Sequence, residues 1–447
     1  MNIQLARTPA ESGFLTLFDE ARDSLPGARS DWISGLRQDA IDAFRRAGIP
    51  HRRIEEWKYT DLRSALPQAL PLALPVPAGG GVEPADYFAP IARHRLVFAN
   101  GYLRPDLSTC SDLPDGVEVL GLAQAIAEAP SWVRDHLDRI APEARSGVFD
   151  LNTAFMAGGI AIRVAAGVAV DRPIELAFVF TGDVPAVQAI RNLIVVEEGA
   201  SATILETFRG AVGVDYLTNT ATELVLGDGA RVDHVKIQDE SLAALHLASL
   251  STRLGAGAVL NTFTASLGAR VARNETNLLC AGRGGDAAIS GAYMISGRQH
   301  CDSTMLVDHA VPECSSRELF KGVIDGSARG VFQGRIIVRP DAQKTDGRMM
   351  TKGLLLSPNA EFDAKPELEI FADDVLCAHG ATSGELDDDL LFYLRSRGIP
   401  ELQAKTMLIQ AFVADAFEQV SSEEIRDVLN GLAGRWLEGS TKDLAHA

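Results

Sequence analysis

The sequence predicts a mainly β protein, a parallel β-helix (β-solenoid) core flanked by helical N- and C-terminal regions, and three observations predict it. Between about residues 145 and 375, β-branched residues, alternation and frequent glycine replace helical periodicity. Within that span a glycine, a small or acidic residue and a new strand recur at Gly199-Ala200, Gly229-Ala230, Gly257-Ala258 and Gly285-Asp286, separated by 30, 28 and 28 residues. No helix long enough for a crossover lies between these turns, so each period reads as one coil stacked on the next. A sandwich is the alternative, but its turns come about every 8 to 12 residues and share no larger period. Turns at Gly326-Ser327 and Asn359-Ala360 continue the pattern less regularly.

The chain divides into an N-terminal helical region with its linker (1–84), a mixed connecting region (85–144), the β-helix core (145–384) and a C-terminal helical domain (385–447). Ser30 reads as the N-cap of a helix striped by Trp32, Ile33, Leu36, Ala40 and Phe44 and closed by Gly48. Pro67, Pro71, Pro75 and Pro77, followed by Gly79-Gly80-Gly81, hold neither helix nor central strand. In the core, apolar residues at odd positions from Val259 to Leu267 face Thr262, Thr264 and Ser266 at even ones, the pattern of a strand with one buried face. At the C-terminal end, Arg397-Gly398-Ile399-Pro400 separates two helices, the second bearing Leu402, Ile409, Phe412, Val413, Ala416 and Val420. Ser421 and Glu424 read as the capping box of a third, striped by Ile425, Val428, Leu429, Leu432 and Trp436. These helices fit either of two uses, capping the solenoid or presenting an apolar face to a second protein.

Composition excludes several functions. Lys plus Arg number 42 against 60 Asp plus Glu, a net charge of −18, the wrong sign for nucleic acid or an anionic membrane. No apolar run reaches the roughly 18 residues of a membrane span, and MNIQLARTPAESG lacks a signal-peptide core, so a cytoplasmic protein is expected. Five cysteines without a CxxC pair, Cys110, Cys280, Cys301, Cys314 and Cys377, read as reduced thiols. GxxxxGK[ST], GxSxG and HExxH are absent, and Gly282-Arg283-Gly284-Gly285 lies among strands rather than at a strand-to-helix turn, so ATP hydrolysis is not expected.

Three constellations hold chemistry. Glu206, Asp233, Glu275 and Asp302 are the carboxylates a carbohydrate-active β-helix enzyme would need. His300-Cys301-Asp302, with Asp308-His309 and Cys314, is crowded but irregularly spaced and reads mainly as turns and strands. In Cys377-Ala378-His379, strand geometry puts the thiol and the imidazole on one face. That soft pair suits iron, zinc or copper but falls short of a four-ligand site. Either another chain completes it or it is a buried thiol beside a histidine.

The blocks EEWKYT (55–60), LNTAFMAGGIAIRV (151–164), FQGRIIVRPDAQKTDG (332–347), LLLSPNAEFDAKPELEIFADDVLCAHGAT (354–382) and LFYLRSRGI (391–399) span nearly the whole chain. Together they resemble the SufB/SufD family of iron–sulfur cluster assembly proteins, on its SufD side. The resemblance implies a parallel β-helix between helical parts and a non-catalytic scaffold that pairs with a SufB-like paralogue and binds a SufC-like ATPase. It implies that His379, with Cys377 beside it, lies at the paralogue interface opposite a SufB cysteine, where a transient Fe–S cluster is built. It places the ATPase on the C-terminal helices from Leu390 onward, with Phe392, Tyr393, Arg395 and Phe412. The isolated chain is expected to hold no cofactor. Homodimerisation in isolation and FAD binding by the complex stay open. A SufB-like cluster-holding paralogue is the competing reading, but SufB carries a glutamate at or beside Gly380 and usually a cysteine-rich N-terminal motif, both missing here.

Overall fold

The computed structural model describes residues 6–82, 84–140 and 145–444, with side chains to residue 439; residues 141–144 of the expected connecting region lie outside it. Its helices are α1 (Pro9–Ala21), α2 (Asp31–Ala47), α3 (Leu62–Ala65), α4 (Leu122–Glu128), α5 (Ser131–His136), α6 (Gly147–Phe155), α7 (Asp388–Ser396), α8 (Glu401–Phe417) and α9 (Glu423–Leu444). Three strands precede the solenoid: β1 (His94–Ala99), β2 (Tyr102–Leu103) and β3 (Val117–Gly121). The coils then run through β4 (Gly158–Val164), β5 (Ile174–Phe180), β6 (Ala186–Val196), β7 (Ser201–Gly210), β8 (Tyr216–Leu226), β9 (Arg231–Gln238), β10 (Leu245–Leu254) and β11 (Val259–Ser266). They continue with β12 (Val271–Cys280), β13 (Asp286–Ile295), β14 (His300–His309), β15 (Ser315–Ile324), β16 (Arg329–Val338), β17 (Asp346–Leu355), β18 (Glu361–Ile370) and β19 (Leu376–Gly384).

Even-numbered strands from β4 to β18 form one parallel sheet and odd-numbered strands from β5 to β19 the other, about eight coils in all. Register steps such as Leu245↔Val271, Val271↔His300 and His300↔Arg329 span 26, 29 and 29 residues, close to the period of the turns. Between the sheets runs one apolar core, from Leu96 and Phe98 to Ile336 and Val338, with Phe98, Phe178 and Phe208 stacked at centroid spacings of 4.5 and 4.9 Å.

One corner of the solenoid carries a column of left-handed residues. Gly199, Gly229, Gly257 and Gly284 have φ between +62° and +73°, and Glu313 and Lys344 continue the column at +63° and +64°. Each sends its N–H to the next coil, Gly199 to the Asp228 carbonyl and Lys344 to that of Asp374. The fourth turn therefore pivots on Gly284, one residue before the expected position. Gly326 and Asn359 belong to the opposite corner, between β15 and β16 and between β17 and β18.

Both outer faces are covered, which corrects the one-sided strand expected at Val259–Leu267. Leu260 enters the core between the sheets, whereas Phe263 and Ala265 pack beneath Ile409, Val413, Phe417 and Ile425 of α8 and α9. The Phe263 and Phe417 rings meet edge-on at 5.8 Å. The C-terminal helices thus lie along the flank of the odd-numbered sheet rather than over the end of the solenoid. Ser422, not Ser421, caps α9, its Oγ accepting from the Ile425 N–H at 3.4 Å. Ser421 is instead drawn to the solenoid, donating to Asp233 Oδ1 at 3.0 Å.

The α2 helix runs from the Ser30 cap to Gly48 as its stripe requires. It packs with α1, which begins at a Thr8/Glu11 capping box, and with α6 on the outer face of the even-numbered sheet, against Val187, Leu217, Leu247 and Val271. The EEWKYT segment clamps this layer down. Arg273 lies 3.8 Å over the Trp57 ring and donates to the Glu56 carbonyl at 2.8 Å.

The corner column yields a direct test. Lys344→Val, which puts a β-branched residue at positive φ, should lower the unfolding free energy in urea by about 1–2 kcal/mol. Lys344→Gly should not lower it by more than about 0.5 kcal/mol, because it relieves the backbone and loses only an exposed ion pair to Asp374.

Candidate functional site

The two ends of the solenoid differ. At the N-terminal end the sheets finish in the antiparallel strands β2 and β3. At the other end, among the described residues, β18 pairs with β16 alone and β19 with β17 alone, so one edge of each strand is without a strand partner. Exposed apolar side chains gather beside these edges: Phe371 is 62% and Leu376 66% exposed, with Ile370 and Met350 nearby. Sheet edges are ordinarily blunted or covered, because unpaired N–H and C=O groups template pairing with another chain.

Cys377 and His379 sit on β19, at this end. Parallel register aligns Cys377 with Gly347 and Ser316, and His379 with Met349 and Glu318, two neighbouring columns running inward from the edge. Cys377 is half-buried against the apolar core, while His379 is exposed. Burial pushes the Cys377 thiol up, and Asp346 and Glu318 add to this against the opposing Gly347 N–H, so the free chain holds it protonated at neutral pH. Gly347 leaves room in its column: a Cβ there would lie 3.5 Å from Ile336 Cγ2 and 3.6 Å from Ser316 Oγ. A Cβ at Gly380 would meet Met350 Cε at 2.7 Å, the movable end of a flexible side chain.

Strand alternation splits the second constellation. Asp302 faces outward to the buried Arg273, and His300 Nε2 lies 2.8 Å from Thr60 Oγ1. Asp308 also faces outward and accepts from Arg339 Nη2 at 2.6 Å. Cys301 points inward and apart from the rest, in an apolar cluster with Tyr293 and Ala272. Only His309 and Cys314 come together, and they are joined by Cys280, which the spacing of the motif did not include. The four carboxylates likewise fail to converge. Glu206 accepts inside the solenoid from Thr222 at 2.9 Å, Asp233 is tied to Asn261 and Ser421, and Glu275 is paired with Arg273 at 2.8 Å. Only Glu275 and Asp302 among the four share a partner, Arg273.

Of the expected docking residues, Leu390, Phe392, Tyr393 and Arg395 lie exposed on α7, with Phe392 74% exposed. Phe412 lies half-buried against the solenoid instead, its ring 4.6 Å from Lys321 Nζ and its carbonyl accepting from that amine at 2.7 Å. The reason is helical phase: Phe412 shares the α8 face of Ile409 and Val413, which the sheet covers.

Glu318 and Lys236 carried no sequence signal beyond sitting on strands, yet both are buried inside the solenoid. Lys236 Nζ reaches His246 Nε2 at 2.7 Å and Asn274 Oδ1 at 2.9 Å, and burial brings it down to about 8.

The solenoid thus ends in a coil whose strands β18 and β19 each have one paired and one unpaired edge, with the thiol and imidazole of Cys377 and His379 on β19. Residues 8–176 match the N-terminal region of SufBD proteins, and residues 178–412 match the SufBD core domain of the SUF system of FeS cluster assembly. The chain is 30% identical over 412 residues to the iron–sulfur cluster assembly protein SufD of Escherichia coli, covering 91% of this chain and 93% of that protein. It is 30% identical to a SufBD family protein of Synechocystis, covering 88% and 89%. Against the chloroplastic protein ABCI7 of Arabidopsis thaliana the identity is 29%, over 92% and 88%. The chain belongs to the SufB/SufD family of iron–sulfur cluster assembly proteins.

Glu318 makes the site's interior sensitive to pH. Both its carboxylate oxygens lack a hydrogen-bond partner, and burial pushes its carboxyl up to about 8. A raised folded value means that the fold favours the neutral acid. The stability tied to that proton is complete below about pH 4.5 and is lost as pH rises through about 8. Glu318→Gln, neutral throughout, should match the parent protein in thermal unfolding near pH 5 and exceed it by on the order of 1–4 kcal/mol near pH 9.

Proposed function

We propose that this chain is a non-catalytic scaffold subunit of the SUF system that mates its open solenoid end with a SufB-like paralogue. One observation carries the reading: both sheets end unpaired on the coil that holds Cys377 and His379. A paralogue with a matching open end continues the ladders and covers Phe371 and Leu376. It also brings its own donors opposite His379, so the nascent cluster is held between chains and handed on as cargo. His379, exposed and on the strand edge, is the main ligand from this side. Cys377, half-buried and protonated in the free chain, supports it. In isolation the same edges serve a second copy of the chain.

The exposed face of α7 (Leu390, Phe392, Tyr393 and Arg395) receives a SufC-like ATPase, which supplies the nucleotide site missing from this sequence. Residues 385–387 alone separate α7 from β19, so movement of a docked ATPase reaches the strand bearing His379 directly. ATP shifts this assembly only through its differential affinity for the two states of the seam.

His379→Ala should leave paralogue and ATPase co-purifying with the chain while anaerobic absorption spectroscopy shows cluster formation reduced at least tenfold; full cluster yield would remove His379 from the reading. Phe371→Lys with Leu376→Lys should weaken paralogue co-purification at least tenfold and spare the ATPase. Phe392→Ala with Tyr393→Ala should do the reverse.

A further inference from the structure

We infer that Cys280, His309 and Cys314 form a binding site for one thiophilic divalent cation of the Zn2+ type, inside the solenoid and separate from the pair on β19. Parallel register sets Cys280, the last residue of β12, beside His309, the last residue of β14 on the next coil. The corner that follows turns on Glu313 in the left-handed conformation and delivers Cys314 to the same spot. One donor atom from each of the three residues lies within 4.8 Å of the others. Cys280 and His309 are fully buried and Cys314 is 1% exposed, so the three donors face one another away from bulk solvent.

The imidazole is oriented as a ligand would be. Its Nε2 lies 3.0 Å from Ser316 Oγ, a contact that fixes the ring, while Nδ1 is buried without any hydrogen-bond partner. A metal-bound histidine characteristically uses its second nitrogen in this way, and an orphaned buried nitrogen is otherwise a cost. Zn–S and Zn–N bonds of about 2.3 and 2.0–2.1 Å hold two ligand atoms roughly 3.3–3.8 Å apart, within reach of side-chain rotation from the present spacing. The remaining position falls to water or to the Gly282 carbonyl, which now accepts from Cys314 Sγ at 3.4 Å. Two thiolates and an imidazole select a borderline-soft cation over Mg2+ or Ca2+.

The test uses the full chain carrying Cys377→Ser and His379→Ala, so that the open end contributes no ligand. Reduced, chelator-stripped protein is incubated with Co2+ as the probe. Expected are ligand-field bands and a thiolate-to-cobalt charge-transfer band of two-thiolate intensity that saturate at one equivalent, displacement by Zn2+, and a Zn2+-dependent rise in Tm. Cys280→Ser and Cys314→Ser should each weaken Co2+ binding at least 100-fold, and His309→Asn at least tenfold, with circular dichroism confirming the fold. Absence of the charge-transfer band in the unsubstituted site overturns the inference without recourse to any variant. So does a band that survives Cys280→Ser combined with Cys314→Ser, or recovery of the two thiols as a disulfide that takes up no Co2+ after reduction.

Discussion

The backbone ladder between successive coils is the constraint on which the rest of this molecule depends. A single coil of about 29 residues encloses too little apolar area to persist alone; stacked, each coil has its backbone satisfied and its interior covered by the next. Because the ladder is parallel and in register, it brings residues a full coil apart into contact, as Cys280 meets His309. It also leaves a remainder, since every stack has a last rung. In this chain the remainder is β18 and β19, and the soft donors are found there.

The space between the sheets changes character along its axis. It begins as an aromatic stack at Phe98, Phe178 and Phe208, and one coil beyond it admits Lys236 over the Phe208 ring at 5.0 Å. Further on come the thiols, His309 and Glu318. Such groups reduce the stability an all-apolar interior would have, because a buried polar group costs free energy unless a partner satisfies it, and Glu318 has none. An interior with polar groups spaced along it is suited to holding ligands in a way that a uniformly aliphatic one is not.

Much of this architecture was legible in the sequence. The turn period survived because glycine marks the left-handed corner at Gly199, Gly229 and Gly257; it faded where Glu313 and Lys344 take the same conformation without being glycine. The Ser30 helix was legible because its cap and stripe are local. The Pro9 helix is marked by equally local signals, the Thr8/Glu11 capping box and a proline in its first turn. Facing was harder to read: strands with both sides covered lose the contrast between in and out, so Thr262 is as buried as Phe263. Phe412 shows the same ambiguity, since an apolar helix position does not reveal whether its own sheet or a foreign surface covers it. Cys377 and His379 were adjacent enough to be noticed, whereas Cys280, 29 residues from His309, becomes a neighbour only once the coil length is known.

In a one-dimensional stack each coil is held by its neighbours, so an interior coil is gripped from both sides and a terminal coil from one. The capped beginning of this solenoid is protected in that sense and its far end is not. Fraying should therefore start at β19 and run backward, as a zipper opens from its free end. The strand that carries His379 is then the least firmly tethered of the stack, and anything seated on its free edge would stiffen it.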